Sequence, residues 1–254
     1  MSRESKASKQ QRVIEICARM QDYYGDAECA LDFDDAFQCV IAVALSAQTT
    51  DAAVNKVTPE LFRRWPNPQA MAQADMQEVG TVIKSIGFYR NKSRNAIECA
   101  RMIMTDFGGE VPCTMEELQK LPGVGRKTAN IVLNNIFGIV EGIAVDTHVN
   151  RIAHKLKLVS AKMTDASKVE QELLRIIPKD LWKNVNHQWV LFGREFCDAK
   201  RPHCAECFLA DACPSSGFAV DDIGTAKKAV HNDDEAPHAN DEAAQVQKRG
   251  KVQQ

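Results

Sequence analysis

The string Leu121-Pro122-Gly123-Val124-Gly125-Arg126-Lys127 puts an amine in the first turn of a helix that opens from a tight glycine turn. Asp146 follows nineteen positions after Lys127, in Val145-Asp146-Thr147-His148. The glycines let the backbone come close to another molecule and leave amide N–H groups pointing outward, a ready cradle for a phosphate oxygen. A lysine amine is a nucleophile only without its proton, and at a reference pKa near 10.4 about one in two thousand is neutral at pH 7. Taken alone, a Gly-Val-Gly turn is often only a turn, and a lone lysine is usually solvated. The later carboxylate, at the start of another helix, gives the string chemical content.

A second constellation lies near the C-terminus. Cys197, Cys204, Cys207 and Cys213 follow the spacing C-x6-C-x2-C-x5-C within seventeen residues. Buried thiols gain nothing from such crowding, so the four read as metal ligands. Structural zinc takes four cysteines tetrahedrally, but usually from two short C-x(2–4)-C knuckles, and only one pair here is that close. A 4Fe–4S cluster is also held by four thiolates and accepts uneven loops. Lys200, Arg201 and His203 fall between the first two cysteines. The other five (Cys17, Cys29, Cys39, Cys99, Cys113) are scattered and read as small buried hydrophobes.

Helices must position these groups. Val13, Ile16, Cys17, Met20 and Tyr24 share one face of a helix over 12–24, and Asp34 or Asp35 caps a second with Phe37, Val40, Ile41, Ala44 and Leu45 inside. That helix ends in the polar break Leu45–Asp51. Thr58-Pro59 and Asn67-Pro68 each read as a cap followed by proline at the first helical position. Gly87 separates a helix ending near Ile86 from one through Asn95–Phe107, which Gly108-Gly109 closes. Thr114-Met115-Glu116-Glu117 has capping-box form and starts a short helix to Leu121. After the turn, Ala129, Val132, Leu133 and Ile136 make a buried stripe, with Lys127 on the opposite face beside Ile131. Val149, Ile152, Ala153 and Leu156 mark a helix from Asp146 or Thr147, Asp165 caps another, and Trp182–Phe192 forms a last one with Trp182 and Trp189 in its core. With no alternation of strand type, the chain reads as all-α with about ten helices.

Length and composition set the outer limits. The 254 residues suffice for one large or two modest domains. A hydrophobic share of 44% and a charged share of 26% are those of an ordinary globular protein. No apolar run reaches the length of a membrane span, and Met1–Gln11 lacks a signal-peptide core, so a cytoplasmic location is expected. From Phe218 the composition turns to Ala, Asp, Asn, Lys and Gln without a period, and 218–254 reads as a disordered tail. The net charge of −2 gives no bulk attraction to nucleic acid. Any such binding has to come from local patches and oriented amides.

Leu121–Lys127 with Val145–His148 resembles the helix-hairpin-helix and catalytic aspartate of the endonuclease III family of DNA glycosylases, over about residues 10–215. The 6-2-5 cysteine spacing is similar to that family's cluster motif. The resemblance implies two helical domains: a six-helix domain over 29–140 holding the hairpin, and a 4Fe–4S cluster domain made of 1–28 and 141–217. DNA would lie in the groove between them.

It further implies Lys127 and Asp146 as catalytic residues. Cys197, Cys204, Cys207 and Cys213 become the ligands of a 4Fe–4S cluster. Gly123, Val124, Gly125 and Arg126 become phosphate contacts in the hairpin, with Lys200 and Arg201 in a cluster-pinned loop. Gln48 and Phe88 occupy the family's gap-filling positions, although many relatives carry an aliphatic residue in place of Phe88. The bland reading of Phe88 is core. His148 is a candidate for the base pocket. Arg90, Lys92 and Arg94 either hold phosphates or form a solvated face.

The partner implied is double-stranded DNA with a damaged base or an abasic site, bound by a monomer at the nucleoid, with no membrane involved. The activity implied is removal of oxidised pyrimidines followed by strand cleavage. The competitors are a monofunctional adenine or mismatch glycosylase, a non-catalytic hairpin module and an iron–sulfur electron carrier. Against the first, Val40–Ala47 holds no acid and Lys127 is present.

Overall fold

The computed structural model describes residues 4–217; the tail read as disordered lies outside the described residues. Among those residues every regular element is helical. α1 (Lys6–Tyr24) is longer at its start than the apolar spacing indicates, because Ser5 caps it by accepting the Ser8 N–H. α2 (Ala36–Leu45) begins at the Asp35 cap and is buried on nearly all sides. α3 (Asp51–Asn55) starts after a Thr50 cap. α4 (Thr58–Arg64) departs from expectation, with Val57 as the cap position and Thr58 already inside the first turn. Thr58 is buried by its neighbours, and its side chain makes no capping bond. In α5 (Pro68–Ala72) Asn67 caps and Pro68 leads, as the sequence indicates.

α6 (Met76–Val82) ends before Ile86, which lies in the turn that follows. α7 (Tyr89–Asp106) starts well ahead of Asn95. The polar run Arg90–Arg94 hides the start, since Lys92 and Ser93 face inward while Arg90 and Arg94 remain exposed. α8 (Met115–Leu118) is a single turn, with the Thr114 hydroxyl accepting the Glu117 N–H at 3.3 Å. α9 (Arg126–Val132) does not run on as one α-helix: Leu133–Phe137 is a π-helical turn, which no periodicity in the sequence announces. α10 (Thr147–Lys155) and α11 (Ala166–Ile176) carry their Asp146 and Asp165 caps. A 3₁₀ turn (Lys179–Leu181) leads into α12 (Trp182–Glu195). The described residues thus hold twelve α-helices against about ten expected. Three of them are five residues or shorter, too short to show a period of their own.

Two apolar cores form. One is built from residues between Leu31 and Ala144, with Ile41, Leu45, Leu61, Ile103, Leu121 and Leu133 at its centre. The other joins Val13, Ile16 and Met20 of α1 to residues from Ile143 to Leu209, centred on Trp189. Arg19 of α1 bonds Asp211 and the Phe208 carbonyl, and Arg12 donates to the Ala212 carbonyl at 3.3 Å. The first helix thereby fastens the cysteine-bearing segment. The scattered cysteines divide: Cys17, Cys39 and Cys99 are buried, Cys29 is half-buried and Cys113 is exposed, against the expectation that all five pack inside. No described helix is long and apolar enough to cross a membrane.

Candidate active site

The hairpin consists of α8, the turn Leu121–Gly125 and α9. Leu121 and Val124 are buried in the first core and anchor the turn. Gly123 has φ +84°, which an L side chain rarely adopts, and a Cβ there would press on Asn95 at 3.3 Å. A Cβ at Gly125 would meet nothing within 4 Å, so that side of the backbone is open to an incoming molecule. The Val124 N–H is already given to the Leu121 carbonyl at 3.0 Å, and this removes Val124 from the residues expected to offer an amide to phosphate.

Arg126 also departs from expectation. Its Nε and Nη2 donate to the two oxygens of Glu170 at 2.6 and 3.1 Å, so these two donors are taken up within the protein although the side chain stays 41% exposed. Glu170 is 3% exposed and belongs to α11. Asn130 Nδ2 donates to the same carboxylate at 3.0 Å. Close packing continues at Gly142, where a Cβ would fall 2.3 Å from Glu170 Oε1.

Lys127, the next residue, is exposed on the second position of α9. Ile131, expected on the same open face, is buried. Asp146 is half-buried at the head of α10, where its Oδ1 accepts the Val149 N–H at 2.8 Å. That bond fixes the carboxylate and leaves its second oxygen without a capping role. The charges of Lys127, Asp146 and Asp51 each act on the ring of His187 on α12. Burial is the largest influence there and lowers the His187 pKa below 6.5, with Asp51 and Asp146 opposing the shift and Lys127 adding to it. The π-turn supplies Asn135, whose Nδ2 donates to the Ile131 carbonyl at 2.7 Å and stands 3.4 Å from His187 Nε2. Asp51 in turn accepts from Arg194 at 2.9 Å.

Sequence reasoning missed His187, Asn135 and Arg194. A lone histidine on an amphipathic helix carries no signal, and a π-turn leaves none. Asp51 was within reach, as the last residue of the polar break that holds Gln48.

His148 is half-buried and packs toward α12. Arg151 Nη2 lies 3.0 Å from its Nδ1, and a Cβ at Gly193 would come within 2.6 Å of the same atom. Burial lowers its pKa as well. Arg151 also donates to the Gly193 carbonyl at 2.9 Å and to the Cys197 carbonyl at 3.0 Å, joining α10 to the cysteine segment.

Gln48 and Phe88 share two properties that set them apart from other non-glycine residues of the first core's surface. Both are exposed, and both have left-handed backbone, φ +54° and +58°. Non-glycine residues held there store strain and gather at functional positions. Phe88 is 65% exposed, so the core reading of it is wrong. A cavity of about 210 Å³ lies between Gln48, Phe88 and Gly123, with Lys92 and Asn95 in its wall.

The four cysteines of the C-terminal segment line one cavity together with Phe192, Phe196 and Leu209. Burial pushes the Cys207 thiol up to about 12 and raises Cys197 and Cys213 as well. Thiols so desolvated ionise only beside positive charge, and the donor set therefore suits a metal centre. Among the described residues no three such groups converge on the position of a single metal ion. Lys200 and Arg201 are exposed on the intervening loop, their backbone N–H groups held by Asp198 Oδ1 at 2.8 and 3.0 Å.

The chain is similar to known proteins over most of its described length. The family model described as HhH-GPD superfamily base excision DNA repair protein matches residues 41–179. Endonuclease III of Synechocystis sp. is 47% identical over 210 residues, which cover 83% of this chain and 95% of the relative. Endonuclease III of Escherichia coli K12 is 39% identical over 200 residues, 79% of this chain and 93% of that protein. Among solved structures, a trapped endonuclease III–DNA covalent intermediate in an estranged-adenine complex superposes with a TM-score of 0.78 at 41% identity, covering 82% of this chain and 96% of the other. The chain belongs to the HhH-GPD superfamily of base excision DNA repair proteins and, within it, to the endonuclease III family.

Proposed function

We propose that this protein is a bifunctional DNA glycosylase and abasic-site lyase that removes oxidised pyrimidines from double-stranded DNA and nicks the strand by β-elimination. One observation carries the reading: an exposed lysine opens a glycine-turned helix and a capped aspartate heads another, both within the residues 41–179 that the family model matches. The neutral Lys127 amine attacks C1′ of the deoxyribose, forming an N–C1′ bond as the glycosidic bond breaks. The base leaves with the electron pair and takes a proton. Opening of the sugar ring gives a Schiff base on Lys127. Loss of a C2′ proton then expels the 3′-phosphate as the C3′–O bond breaks. Asp146 stabilises the positive charge that develops at the sugar and relays protons.

The duplex would be held by the Gly123 and Gly125 amides, which have no backbone acceptor among the described residues, and by Lys200 and Arg201. These contacts grip the backbone without reading sequence. A target base has to leave the stack, and the gap is filled by Gln48 and Phe88. His148 would face the base pocket from α10, beside Arg151 and Gly193. We divide the chain into a hairpin domain over 29–140 and a discontinuous domain of 1–28 with 141–217, with the DNA in a groove between them; the two apolar cores support the division, apart from Ala144, which packs in the first core.

Cys197, Cys204, Cys207 and Cys213 would hold a 4Fe–4S cluster. Its contribution is structural: when bound it pins both ends of the Lys200–Arg201 loop. What supports a cluster over a single zinc is the uneven 6-2-5 spacing, which lacks the two short knuckles of a zinc module, together with the one cavity that all four thiols line.

The test is incubation of the purified protein, without added metal, with duplexes carrying thymine glycol, an abasic site, uracil or an adenine:8-oxoguanine pair. Cleavage of the first two alone is the expected result. Excision of adenine or uracil without nicking points to a monofunctional glycosylase, and binding without any cleavage to a hairpin module; either contradicts the reading.

A further inference from the structure

We propose that Lys92 is a positioning residue that braces the two duplex-entering side chains, Gln48 and Phe88, into one rigid unit. The proposal rests on the gap-filling reading above. Lys92 stands in a run of basic residues that suggests phosphate contact, yet it is 8% exposed while its neighbours Arg90 and Arg94 are open to solvent. Its Nζ donates to Thr49 Oγ1 at 2.6 Å, and among the described residues no carboxylate pairs with it. A desolvated ammonium held by one hydroxyl is a poor way to stabilise a core, because burial disfavours the charge and a neutral acceptor compensates only in part. Burial accordingly lowers the Lys92 pKa.

What the contact does achieve is to connect two strained loops. Thr49 directly follows Gln48, and Lys92 sits one helical turn after Phe88, its N–H bonded to the Phe88 carbonyl at 3.1 Å. Both Gln48 and Phe88 hold left-handed backbone, and Phe88 begins α7 without a side-chain cap. Left to themselves, such residues relax toward ordinary backbone. The Lys92–Thr49 bond sets the separation of the two loops across the 210 Å³ cavity that Lys92 helps to line. The brace fixes the spacing of the two wedges before DNA arrives, so less ordering is left to be done on binding.

The test uses the full chain with Lys92→Met, Thr49→Val and Gln48→Ala, each checked by thermal melting. Duplexes carry thymine glycol for kinetics, or 2-aminopurine opposite a stable tetrahydrofuran abasic analogue to report unstacking by fluorescence. A single-stranded abasic oligonucleotide is the control, since there no partner base has to be displaced. Lys92→Met and Thr49→Val are expected to lower kcat/KM on the duplex about tenfold and to reduce the fluorescence rise, while cleavage of the single strand stays within about twofold of wild type. Thr49→Val decides the matter if Lys92→Met does not fold. Wild-type behaviour of the brace variants beside an impaired Gln48→Ala overturns the brace alone. Wild-type behaviour of Gln48→Ala overturns the gap-filling reading, and the brace with it. An equal loss on single and double strands assigns Lys92 to general stability and also overturns the proposal.

Discussion

The Arg126 guanidinium grips the Glu170 carboxylate through two hydrogen bonds, at 2.6 and 3.1 Å, and the residue after Arg126 is Lys127. Arg126 opens a helix of the first apolar core, and Glu170 lies on a helix of the second. The pair therefore fixes the heading of α9 relative to the helices that carry Asp146 and His187.

Removing the carboxylate leaves Asn130 without its acceptor and Arg126 without its partner. Breaking a buried pair costs about 3–5 kcal/mol, reduced here because the Arg126 side chain is 41% exposed. Glu170→Ala is expected to lower unfolding stability by about 2–3 kcal/mol in urea titration. Loss of under about 0.5 kcal/mol, the size of an ordinary surface substitution, would show that the pair holds nothing together.

Asp146 has two jobs that one substitution can separate. Asn at this position still accepts the Val149 N–H, so Asp146→Asn should keep stability within about 0.5 kcal/mol, whereas Asp146→Ala should lose about 1 kcal/mol of capping. Both should lower base excision by about a hundredfold, since neither presents a charge to the sugar. Equal melting of the two variants refutes the cap; full activity of the Asn variant refutes the catalytic role.

Acid should weaken the fold before most carboxylates titrate. Burial, chiefly, holds His187 and His148 below 6.5 in the folded chain. Asp51 and Asp146 oppose the shift at both rings; Lys127 adds to it at His187, and Arg151 and Arg194 add to it at His148. Between the folded and unfolded values the unfolded chain binds more protons, so stability falls as pH drops through 6.5 and levels off below the folded values. The lowered carboxylates Glu4, Asp26, Glu60 and Asp198 act in the same direction only below about 4.5. Denaturant titrations between about pH 7.5 and 5 should show the decline, and His187→Asn should flatten it. An unchanged slope in that variant would remove His187 from the account.

The cysteine cavity makes a compositional prediction. Purified anaerobically, the wild-type chain should carry about four iron atoms and as many inorganic sulfides, and Cys207→Ser should carry almost none and unfold earlier. One zinc per chain in place of iron would revive the alternative that the spacing left open.

The hairpin, the caps at Asp35, Asp146 and Asp165, and the all-helical architecture could be read from the chain because each is written in local chemistry. A glycine turn, an aspartate before an apolar period and four close cysteines declare themselves within a few residues. What escaped reading depends on distant partners. Arg126 looks like a phosphate contact until Glu170, 44 residues away, takes its guanidinium. Lys92 looks like surface until the fold turns it toward Thr49, and His187 gains meaning only once the fold sets Asn135 of the π-turn beside its ring. The early start of α7 was hidden for the same reason: polar residues facing inward erase the apolar period that marks a helix.

Borohydride trapping on duplex DNA with an abasic site tests the nucleophile most directly. The wild-type chain should form a covalent protein–DNA adduct that survives denaturation, and Lys127→Ala should form none while binding the same duplex. An adduct at wild-type yield in Lys127→Ala would move the chemistry to another amine and contradict the mechanism.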